Sequence, residues 1–582
     1  MQEKPVAREI PRAVIAIAVA VGAASITMML VGAWVTGKTW DEQNNVGMLQ
    51  TFFSAGWHVT ADAIINGLPD PRYPYGVFVY GPMGEFLPHA INVLLGNESW
   101  GVLDPGAAAT AGRHLGTALQ ALLGVGAAAG TCWAITRSWR WGLMGGALLA
   151  VTPLWLGQGM FNIKDSPAAT GYTLATLGLV CFLRPDFLSK KVVRILGWVA
   201  LVAGTVLAAG VRTALGLPIA AAVVIAPFVA WALHRRMGRE TAVALHASRR
   251  FVEGLVAMVA AYLVLTAIYP KAYSNPINLG IKAVLDSALY PVNEAQLTAG
   301  TWMTQPVPWT YQPLWFASQL PLVIVIFCTL AVAWWIWSVV RILIGRMDLG
   351  SRVEHASMTT PVVLQLSLLP VGAILGQSTL YNGTRQVLFV VPAAAILATL
   401  GIRGVMRRLD MGKRGWVATA AWAAVSVGLV IPLVAQARLF PYNYTYFNAA
   451  AALAPIDGNW STDYWRASSN ELIRRTPSSG EVSCGTEQLA KGEFYPCLTE
   501  TMFSPYLAER GSQALPGQAG PGQYWFIREN GGNIDIPPGC TVHDEISRPL
   551  FWRDITIGQV LLCDSAVDTG KRNMADPTKP AD

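Results

Sequence analysis

Long apolar stretches separated by short polar segments fill the first three quarters of the chain. A helix needs about 20 apolar residues to cross the hydrocarbon core of a bilayer, and eleven stretches approach that length. They are 12–36, 110–135, 141–156, 166–183, 192–211, 214–233, 251–270, 314–340, 359–380, 386–402 and 415–437. The pattern predicts an all-α polytopic membrane domain over residues 1–437, with about 11 transmembrane helices.

A twelfth apolar stretch, 77–95, contains two prolines together with Glu85 and His89, which suit a lipid-facing span poorly. If it does not cross, the loops on one side hold 22 Lys and Arg, and the other side with its span edges holds eight. If it crosses, this bias collapses. Because cytoplasmic loops carry the excess of basic residues, we predict that 77–95 lies on or dips into the outer face.

The same bias predicts the orientation of the whole chain. The N-terminus is expected to be cytoplasmic, and the segment after residue 437 is expected to be extracytoplasmic. The sequence therefore predicts a multi-pass protein of the plasma (inner) membrane that is surrounded by membrane lipids.

Composition excludes two broad classes of protein. The chain has 582 residues, of which 53% are hydrophobic and only 13% are charged, whereas soluble proteins carry roughly 25% charged residues. A soluble protein of this length would form about four domains and could not cover their surfaces with so few charges. High hydrophobicity with low charge also excludes disorder, and the mean hydropathy is +0.40.

Charge also argues against a nucleic-acid partner. Residues 1–437 hold 30 basic and 18 acidic side chains, a net charge of +12, while residues 438–582 hold 12 and 17, a net charge of −5. The basic residues of the first part fall in the predicted cytoplasmic loops and form no separate stripe that could follow a nucleic-acid backbone.

Residues 438–568 are predicted to form a small extracytoplasmic α/β domain. Helical spacing covers 463–475, and β-like runs occupy 523–528 and 555–563. The final residues, 569–582, have the composition of a disordered tail.

Four of the seven cysteines lie in this C-terminal domain, and an even number outside the cell suggests two disulfides. We favour the sequence-local pairing, Cys484–Cys497 and Cys540–Cys563, over the other two connectivities. Zinc is less well supported, because no Cys-x-x-Cys pair is present.

Four polar motifs lie on the predicted outer side, where ordinary loop charges are scarce. Asp41 and Glu42 follow the first span, and Lys164 and Asp165 stand at the outer edge of the third. Arg212 separates two spans, and Arg385 precedes another, within Tyr381-Asn382-Gly383-Thr384-Arg385. Each has a structural interpretation: an acidic helix start, a helix cap, or a snorkelling arginine.

Their joint position suggests a function. Two acidic motifs and two isolated arginines on one membrane face would suit group transfer from a lipid phosphate. Arginine binds phosphate bidentately, and a carboxylate can take the proton of an acceptor hydroxyl as general base.

The motifs, in their order along the chain, resemble those of the GT-C superfamily of membrane glycosyltransferases, near the protein O-mannosyltransferases and the lipid A aminoarabinose transferases. The resemblance spans about 40–465. At two positions the chain departs from the bacterial pattern, with Asn382 for the usual Asp and Gln386 for the usual His. The matching segments are Trp40-Asp41-Glu42, Lys164-Asp165-Ser166-Pro167, Tyr381–Phe389, Pro441–Asn448 and Asp463-Tyr464-Trp465.

The resemblance implies transfer of a hexose or pentose from a polyprenyl-phosphate donor to an extracytoplasmic acceptor, with inversion at the anomeric carbon. The acceptor would be a glycan, a lipid or a protein of the cell envelope. Asp41 would be the base, with Glu42 beside it pointing elsewhere. Asp165 would position the acceptor or support a divalent metal, whose presence the sequence leaves open.

The resemblance also assigns binding roles. Arg212 and Arg385, with Lys164, would hold the donor phosphate. Surface helices over 44–66, 77–95 and 276–291 would shape the cavity. Its candidate lining residues are Tyr80, Glu85, His89 and Asn382, although a polar residue on an interfacial helix is the commoner role for Glu85 and His89.

Two other classes compete with an enzyme. A transporter or lipid flippase would also place charges in a helical bundle, but it should show repeats and broken helices at the midplane, and neither is evident. A receptor with an outer sensing domain would not require the acidic and arginine motifs.

Overall fold

A computed structural model of the chain shows a helical domain followed by a small α/β unit, and the predicted fold class is confirmed. The structure describes residues 10–39, 41–54, 80–104, 106–186, 189–236, 247–268, 285, 288, 295–345, 350–410, 415–476, 481–484, 524–529, 536 and 539–563. Trp40, Cys497, the segment 55–66, nearly all of 276–291 and the tail 569–582 lie outside these residues.

Ten described helices are long and apolar enough to cross a membrane. They correspond to α1 (Arg12–Val35), α4 (Ala107–Thr136), α7 (Asp165–Leu183), α8 (Lys191–Val211), α9 (Gly216–Arg236), α10 (Ala247–Ile268), α12 (Leu322–Leu343), α13 (Gly350–Leu375), α14 (Val390–Asp410) and α15 (Gly415–Leu439). With one bent pair counted as a span, the total is eleven.

The bent pair corrects the predicted straight span 141–156. The chain forms α5 (Trp139–Ala150) and α6 (Pro153–Phe161), whose axes differ by 70°. Pro153 lacks the N–H that would continue the hydrogen-bond ladder, so the first helix ends before it.

A second correction concerns 314–340. The structure divides this stretch between a short helix, α11 (Tyr311–Gln319), and α12, with Leu320 and Pro321 between them. The segment before α11 forms a two-stranded antiparallel hairpin, β1 (Gln296–Thr298) and β2 (Thr301–Met303), which the sequence pattern did not reveal.

Besides α11, three short helices of the described residues lie outside the spans. α2 (Glu42–Ser54) follows α1 directly, and α3 (Phe86–Leu94) follows a 3₁₀ turn over Pro82–Glu85. At nine residues, α3 is only about 14 Å long, too short to cross a bilayer. α16 (Ser469–Arg475) belongs to the C-terminal part and begins six residues later than predicted.

The close packing of α7 and α8 places the site residues at their ends. α7 is the most buried of the ten span helices, with 94% of its apolar window inside the protein. A Cβ on Gly171 would lie 2.4 Å from the Ala208 backbone nitrogen, and one on Gly204 would lie 2.4 Å from that of Ala175. Small residues therefore let the two backbones approach closely, as in many membrane helix pairs.

The C-terminal sheet has four strands in the order β3-β4-β6-β5. They are β3 (Glu481–Cys484), β4 (Tyr524–Glu529), β5 (Cys540–Leu550) and β6 (Arg553–Cys563); β3 and β4 are parallel and the other pairs are antiparallel. The ladder places Cys540 directly opposite Cys563. The disulfide between them remains a prediction, as does the Cys484–Cys497 bridge.

Candidate functional site

Five charged side chains from four distant segments meet at one end of the helical domain. Asp41 lies between α1 and α2, and Lys164 and Asp165 stand at the start of α7. Arg212 follows α8, and Arg385 precedes α14 in a short 3₁₀ turn. The predicted clustering of these motifs on one face therefore holds in three dimensions, and we call this group the charge cluster.

Ion pairs connect all members of the charge cluster. Lys164 Nζ donates to Asp41 Oδ2 at 2.8 Å, and Arg385 Nη2 donates to the same oxygen. Arg385 Nε also donates to Asp165 Oδ2 at 3.3 Å. Arg212 donates two hydrogen bonds to Asp165 Oδ1, one from Nε at 2.8 Å and one from Nη2. Arg385 thus joins the two carboxylates.

The charge cluster carries an excess of positive charge, since three cations surround two carboxylates. Burial raises the pKa of Asp41, but Arg385 and Lys164 outweigh it and lower that pKa to about 2. Burial likewise opposes the charged form of Arg385, yet Asp41 and Asp165 raise its pKa above the ordinary value. Asp41 and Arg385 are therefore both ionised near neutral pH.

Neutral polar side chains hold the Asp165 carboxylate in place through hydrogen bonds. Asn162 Nδ2 donates to Asp165 Oδ2 at 3.1 Å and to Gln158 Oε1 at 2.7 Å, and Asn162 Oδ1 accepts from the Asp165 N–H at 2.8 Å. Gln158 Nε2 in turn donates to the Tyr464 hydroxyl at 2.8 Å. Tyr464 lies in one of the segments that carry the resemblance, but nothing in the local pattern pointed to Gln158.

Aromatic rings line the cationic side chains. The Arg385 guanidinium lies 4.0 Å from the centroid of the Trp465 ring, and the Tyr80 ring centroid is 4.3 Å from Lys164 Nζ and 5.2 Å from the Arg212 guanidinium. Such contacts hold cations in place without neutralising them. Trp465 was missed as a site residue, although it lies in one of the segments that carry the resemblance.

Glu42 lies outside the charge cluster. Its Oε1 accepts from the Thr39 N–H at 2.6 Å, from the Thr39 hydroxyl at 2.8 Å and from His114 Nε2 at 2.9 Å. Burial raises its pKa, but His114, Thr39 and Arg113 together outweigh burial, so the pKa is lowered overall. Glu42 therefore faces the helical core at α4, whereas Asp41 faces the cations.

His89 belongs to a third group, which we call the loop network: His89, Glu98 and Arg113. His89 Nδ1 contacts Glu98 Oε2 at 2.7 Å, and its Nε2 accepts from the Gly101 N–H at 3.1 Å. Arg113 Nη1 donates to Glu98 Oε1. Both ring nitrogens of His89 are thus engaged, which matches an interfacial structural role and leaves no nitrogen to face a cavity.

The remaining two candidates differ from each other. Glu85 is buried, its Oε2 has no hydrogen-bond partner among the described residues, and burial raises its pKa well above the ordinary value. Asn382 has a left-handed backbone, with φ of 57°, which its short amide side chain tolerates, and its N–H donates to Gln296 Oε1 at 2.8 Å. Asn382 therefore shapes the turn that leads into Arg385.

The arrangement does not fit a resident divalent metal. Within the described residues, no group of three or more His, Cys, Asp or Glu side chains is placed to hold a metal ion. The carboxylates of Asp41 and Asp165 already accept from lysine and arginine, and the resulting net positive charge repels a further cation.

The fold and the site together define a polytopic helical membrane protein with a buried ionic site at one end of its helices. No protein-family model and no curated protein matches the chain. Among solved structures, it is similar to the AglB oligosaccharyltransferase of Archaeoglobus fulgidus, in complex with an inhibitory peptide and a dolichol-phosphate, at 13% identity and a TM-score of 0.49. That alignment covers 80% of this chain and 58% of the other.

The chain is also similar to ArnT from Cupriavidus metallidurans bound to undecaprenyl phosphate, at 14% identity and a TM-score of 0.45, with 94% of this chain and 97% of the other covered. Both proteins are membrane glycosyltransferases of the GT-C superfamily, which the sequence motifs resemble. The chain spans only 58% of the oligosaccharyltransferase. At these identities and TM-scores, the likeness assigns no activity to this chain.

Proposed function

We propose that the protein is an integral-membrane glycosyltransferase that moves a sugar from a polyprenyl-phosphate donor to an acceptor hydroxyl at the extracytoplasmic membrane face. The observation that carries this proposal is the charge cluster: three cations around two carboxylates, at the end of the spans, where a lipid phosphate group would lie.

Arg385, Arg212 and Lys164 would bind the donor phosphate. A sugar-linked polyprenyl phosphate is a phosphodiester with one negative charge, and the charge cluster has one positive charge in excess. Binding would thus bring the site to neutrality. The arginines supply the planar forks that suit phosphate oxygens, and Lys164 supplies a point charge.

Asp41 would act as the general base. When the phosphate engages Arg385 and Lys164, it competes with Asp41 Oδ2 for these two donors, and the freed oxygen can accept the proton of the acceptor hydroxyl. The acceptor oxygen forms its bond to the anomeric carbon as the bond from that carbon to the phosphate oxygen breaks. The polyprenyl phosphate leaves with the electron pair, and the configuration inverts.

Asp165 would keep the phosphate-binding arginines in place. It contacts both Arg212 and Arg385 and is itself held by Asn162. With two arginines already on its oxygens, it is less suited than Asp41 to accept a proton. We assign it a positioning role.

The acceptor would approach from the side of Tyr80 and Glu85. The Tyr80 ring covers Lys164 and Arg212, and the buried Oε2 of Glu85 has no hydrogen-bond partner among the described residues. Asn382 would act through the turn before Arg385. A glycan, a lipid or a protein hydroxyl would all suit this chemistry, as would a role in cell-envelope synthesis.

Orientation is a separate part of the proposal and has its own test. The 22-to-8 distribution of basic residues supports a cytoplasmic N-terminus and an extracytoplasmic C-terminal unit. A single cysteine introduced at position 510, in a variant without the seven native cysteines, should react only with a membrane-impermeant reagent added outside. Labelling only from the cytoplasmic side would show that the chain has the opposite orientation.

The activity is tested with purified protein in nanodiscs and a panel of radiolabelled undecaprenyl-phosphate sugars: a hexose, an amino sugar and a pentose. Water and a solubilised membrane fraction serve as acceptors. We expect release of undecaprenyl phosphate from at least one donor and its loss in Arg385→Ala. The matched control is Arg137→Ala, which removes an exposed arginine paired with Glu354 at the far end of α4.

Two outcomes would count against a glycosyltransferase. One is no turnover of any donor by the wild-type protein, which would favour the transporter or receptor alternatives. The other is equal loss of turnover in Arg137→Ala and Arg385→Ala, which would mean that the charge cluster has no special role.

A further inference from the structure

A buried contact behind the charge cluster links α4 to the segment that carries Asp41. Glu42 Oε1 collects three hydrogen bonds, two from Thr39 and one from His114 Nε2. The two bonds from Thr39 close a tight turn between Thr39 and Glu42, and Asp41 directly precedes Glu42 in that turn. The position of Asp41 therefore depends on where Glu42 is held.

His114 is a rigid support for this turn. It lies on the first part of α4 and is completely buried. Its ring centroid is 6.3 Å from that of Phe161, which in turn packs against Trp465 at 5.6 Å. Trp465 is the ring beneath Arg385. His114 thus touches the structures behind both partners of the Asp41–Arg385 ion pair.

The chain before the turn has little freedom of its own. A Cβ on Gly37 would lie 2.5 Å from the Asn470 Cβ and 3.1 Å from the Ala467 carbonyl oxygen. The backbone at residue 37 therefore packs closely against the C-terminal unit. Between this contact and α2, the hydrogen bond from His114 to Glu42 connects α4 in the helical core to the turn that contains Asp41.

We propose that His114 is a positioning residue: by donating Nε2–H to Glu42, it fixes the turn over residues 39–42 and holds Asp41 Oδ2 between Arg385 and Lys164. Its effect on turnover rests on the proposed function, but its effect on the turn does not. Glu42, placed beside the base in sequence, then serves as the link between His114 and Asp41.

The first experiment measures the turn itself, without activity. Hydrogen–deuterium exchange in nanodiscs follows a peptide over residues 36–45 in the wild type, His114→Phe and His114→Gln. Phenylalanine keeps an aromatic ring but cannot donate, whereas the glutamine amide can reach Glu42 in place of Nε2. We expect exchange up to about tenfold faster in His114→Phe, the factor that one lost hydrogen bond gives, and near-wild-type exchange in His114→Gln.

The second experiment measures turnover of the undecaprenyl-phosphate sugar that the wild type uses. Because a misplacement of about 1 Å costs roughly 10²-fold in rate, kcat should fall by about that factor in His114→Phe. The donor KM should change less than about twofold, since the phosphate-binding residues are untouched, and His114→Gln should recover most of kcat. His355→Phe on α13, away from the charge cluster, is the matched control.

The outcomes are distinguishable. Unchanged exchange in His114→Phe, or an unchanged kcat in an active protein, overturns the inference. No turnover in the wild type overturns the proposed function, while the exchange experiment still decides the role of His114. If His114→Phe does not fold, Glu42→Gln replaces it, because the amide keeps the volume but weakens the acceptor, and the same two effects are expected.

Discussion

Two buried ionic groups lie at the same end of this molecule, and they differ in how far their side chains are open to solvent. In the loop network, Glu98 accepts from His89, Arg113 and the Asp104 N–H, and its side chain is sealed from solvent. In the charge cluster, the Asp41 side chain is 16% exposed and that of Arg212 is 14% exposed.

The two groups also differ in net charge and in origin. The loop network joins residues that lie within 25 positions of one another, and Phe53 and Trp100 cover His89 with ring centroids at 5.3 and 5.2 Å. The charge cluster joins residues up to 344 positions apart and keeps one cation in excess. A network sealed from solvent stabilises the fold, whereas an open one with exchangeable partners can receive a ligand.

The largest effect is expected from removing the base. Asp41→Asn should fold and bind undecaprenyl phosphate but lose turnover by roughly 10²–10⁴-fold, the usual contribution of a positioned general base. Steady-state kinetics with saturating donor and acceptor measure this, and Glu42→Gln should lose less. Near-normal turnover in Asp41→Asn would make Asp165 the leading candidate for the base.

Breaking the loop network should affect stability instead. Glu98→Gln leaves Arg113 buried without its carboxylate, and removal of one partner of a buried ion pair costs about 3–5 kcal/mol. Thermal unfolding in detergent should show a clearly lower Tm, with unchanged affinity of the surviving folded protein for undecaprenyl phosphate. If Glu98→Gln kept the wild-type Tm but bound undecaprenyl phosphate less tightly, the loop network would serve in ligand binding and not in stability.

An intermediate effect is expected for the donor site. Arg385→Ala should weaken binding of undecaprenyl phosphate by about 10- to 100-fold, because a hydrogen bond to a charged group contributes roughly 1.5–3 kcal/mol. Arg385→Lys should restore only part of it, since lysine lacks the bidentate fork. Equal affinity of the wild type and Arg385→Ala, measured by calorimetry, would remove Arg385 from the binding site.

The smallest effect concerns pH. Arg385 and Lys164 keep the pKa of Asp41 at about 2, below the ordinary value of 3.8, so the carboxylate stays ionised until the pH approaches 2. The acid limb of kcat/KM for the donor should therefore lie below about pH 4. In Arg385→Ala it should move to higher pH, because burial then raises the pKa with less opposition. If the acid limb of Arg385→Ala lay at the same pH as that of the wild type, it would not report the ionisation of Asp41.

Much of this organisation could be predicted from the chain itself. The apolar stretches predicted the number of spans, and the described part of 77–95 contains only α3, which is too short to cross. Local patterns missed the bend before Pro153 and the strands β3 and β5. A strand such as β5, with polar side chains and two register irregularities, lacks the regular alternation that reveals strands in a sequence.

The sequence by itself determined that charged residues stand at the same ends of several spans, because the count of crossings decides which loops share a membrane face. It could not determine which of two adjacent acids faces the cations. That was decided by the tertiary structure, where His114 on α4 holds Glu42 and the ends of α7, α8 and α14 bring Lys164, Arg212 and Arg385 around Asp41 and Asp165. Pairing over hundreds of residues depends on helix packing, which leaves no local signal in the chain.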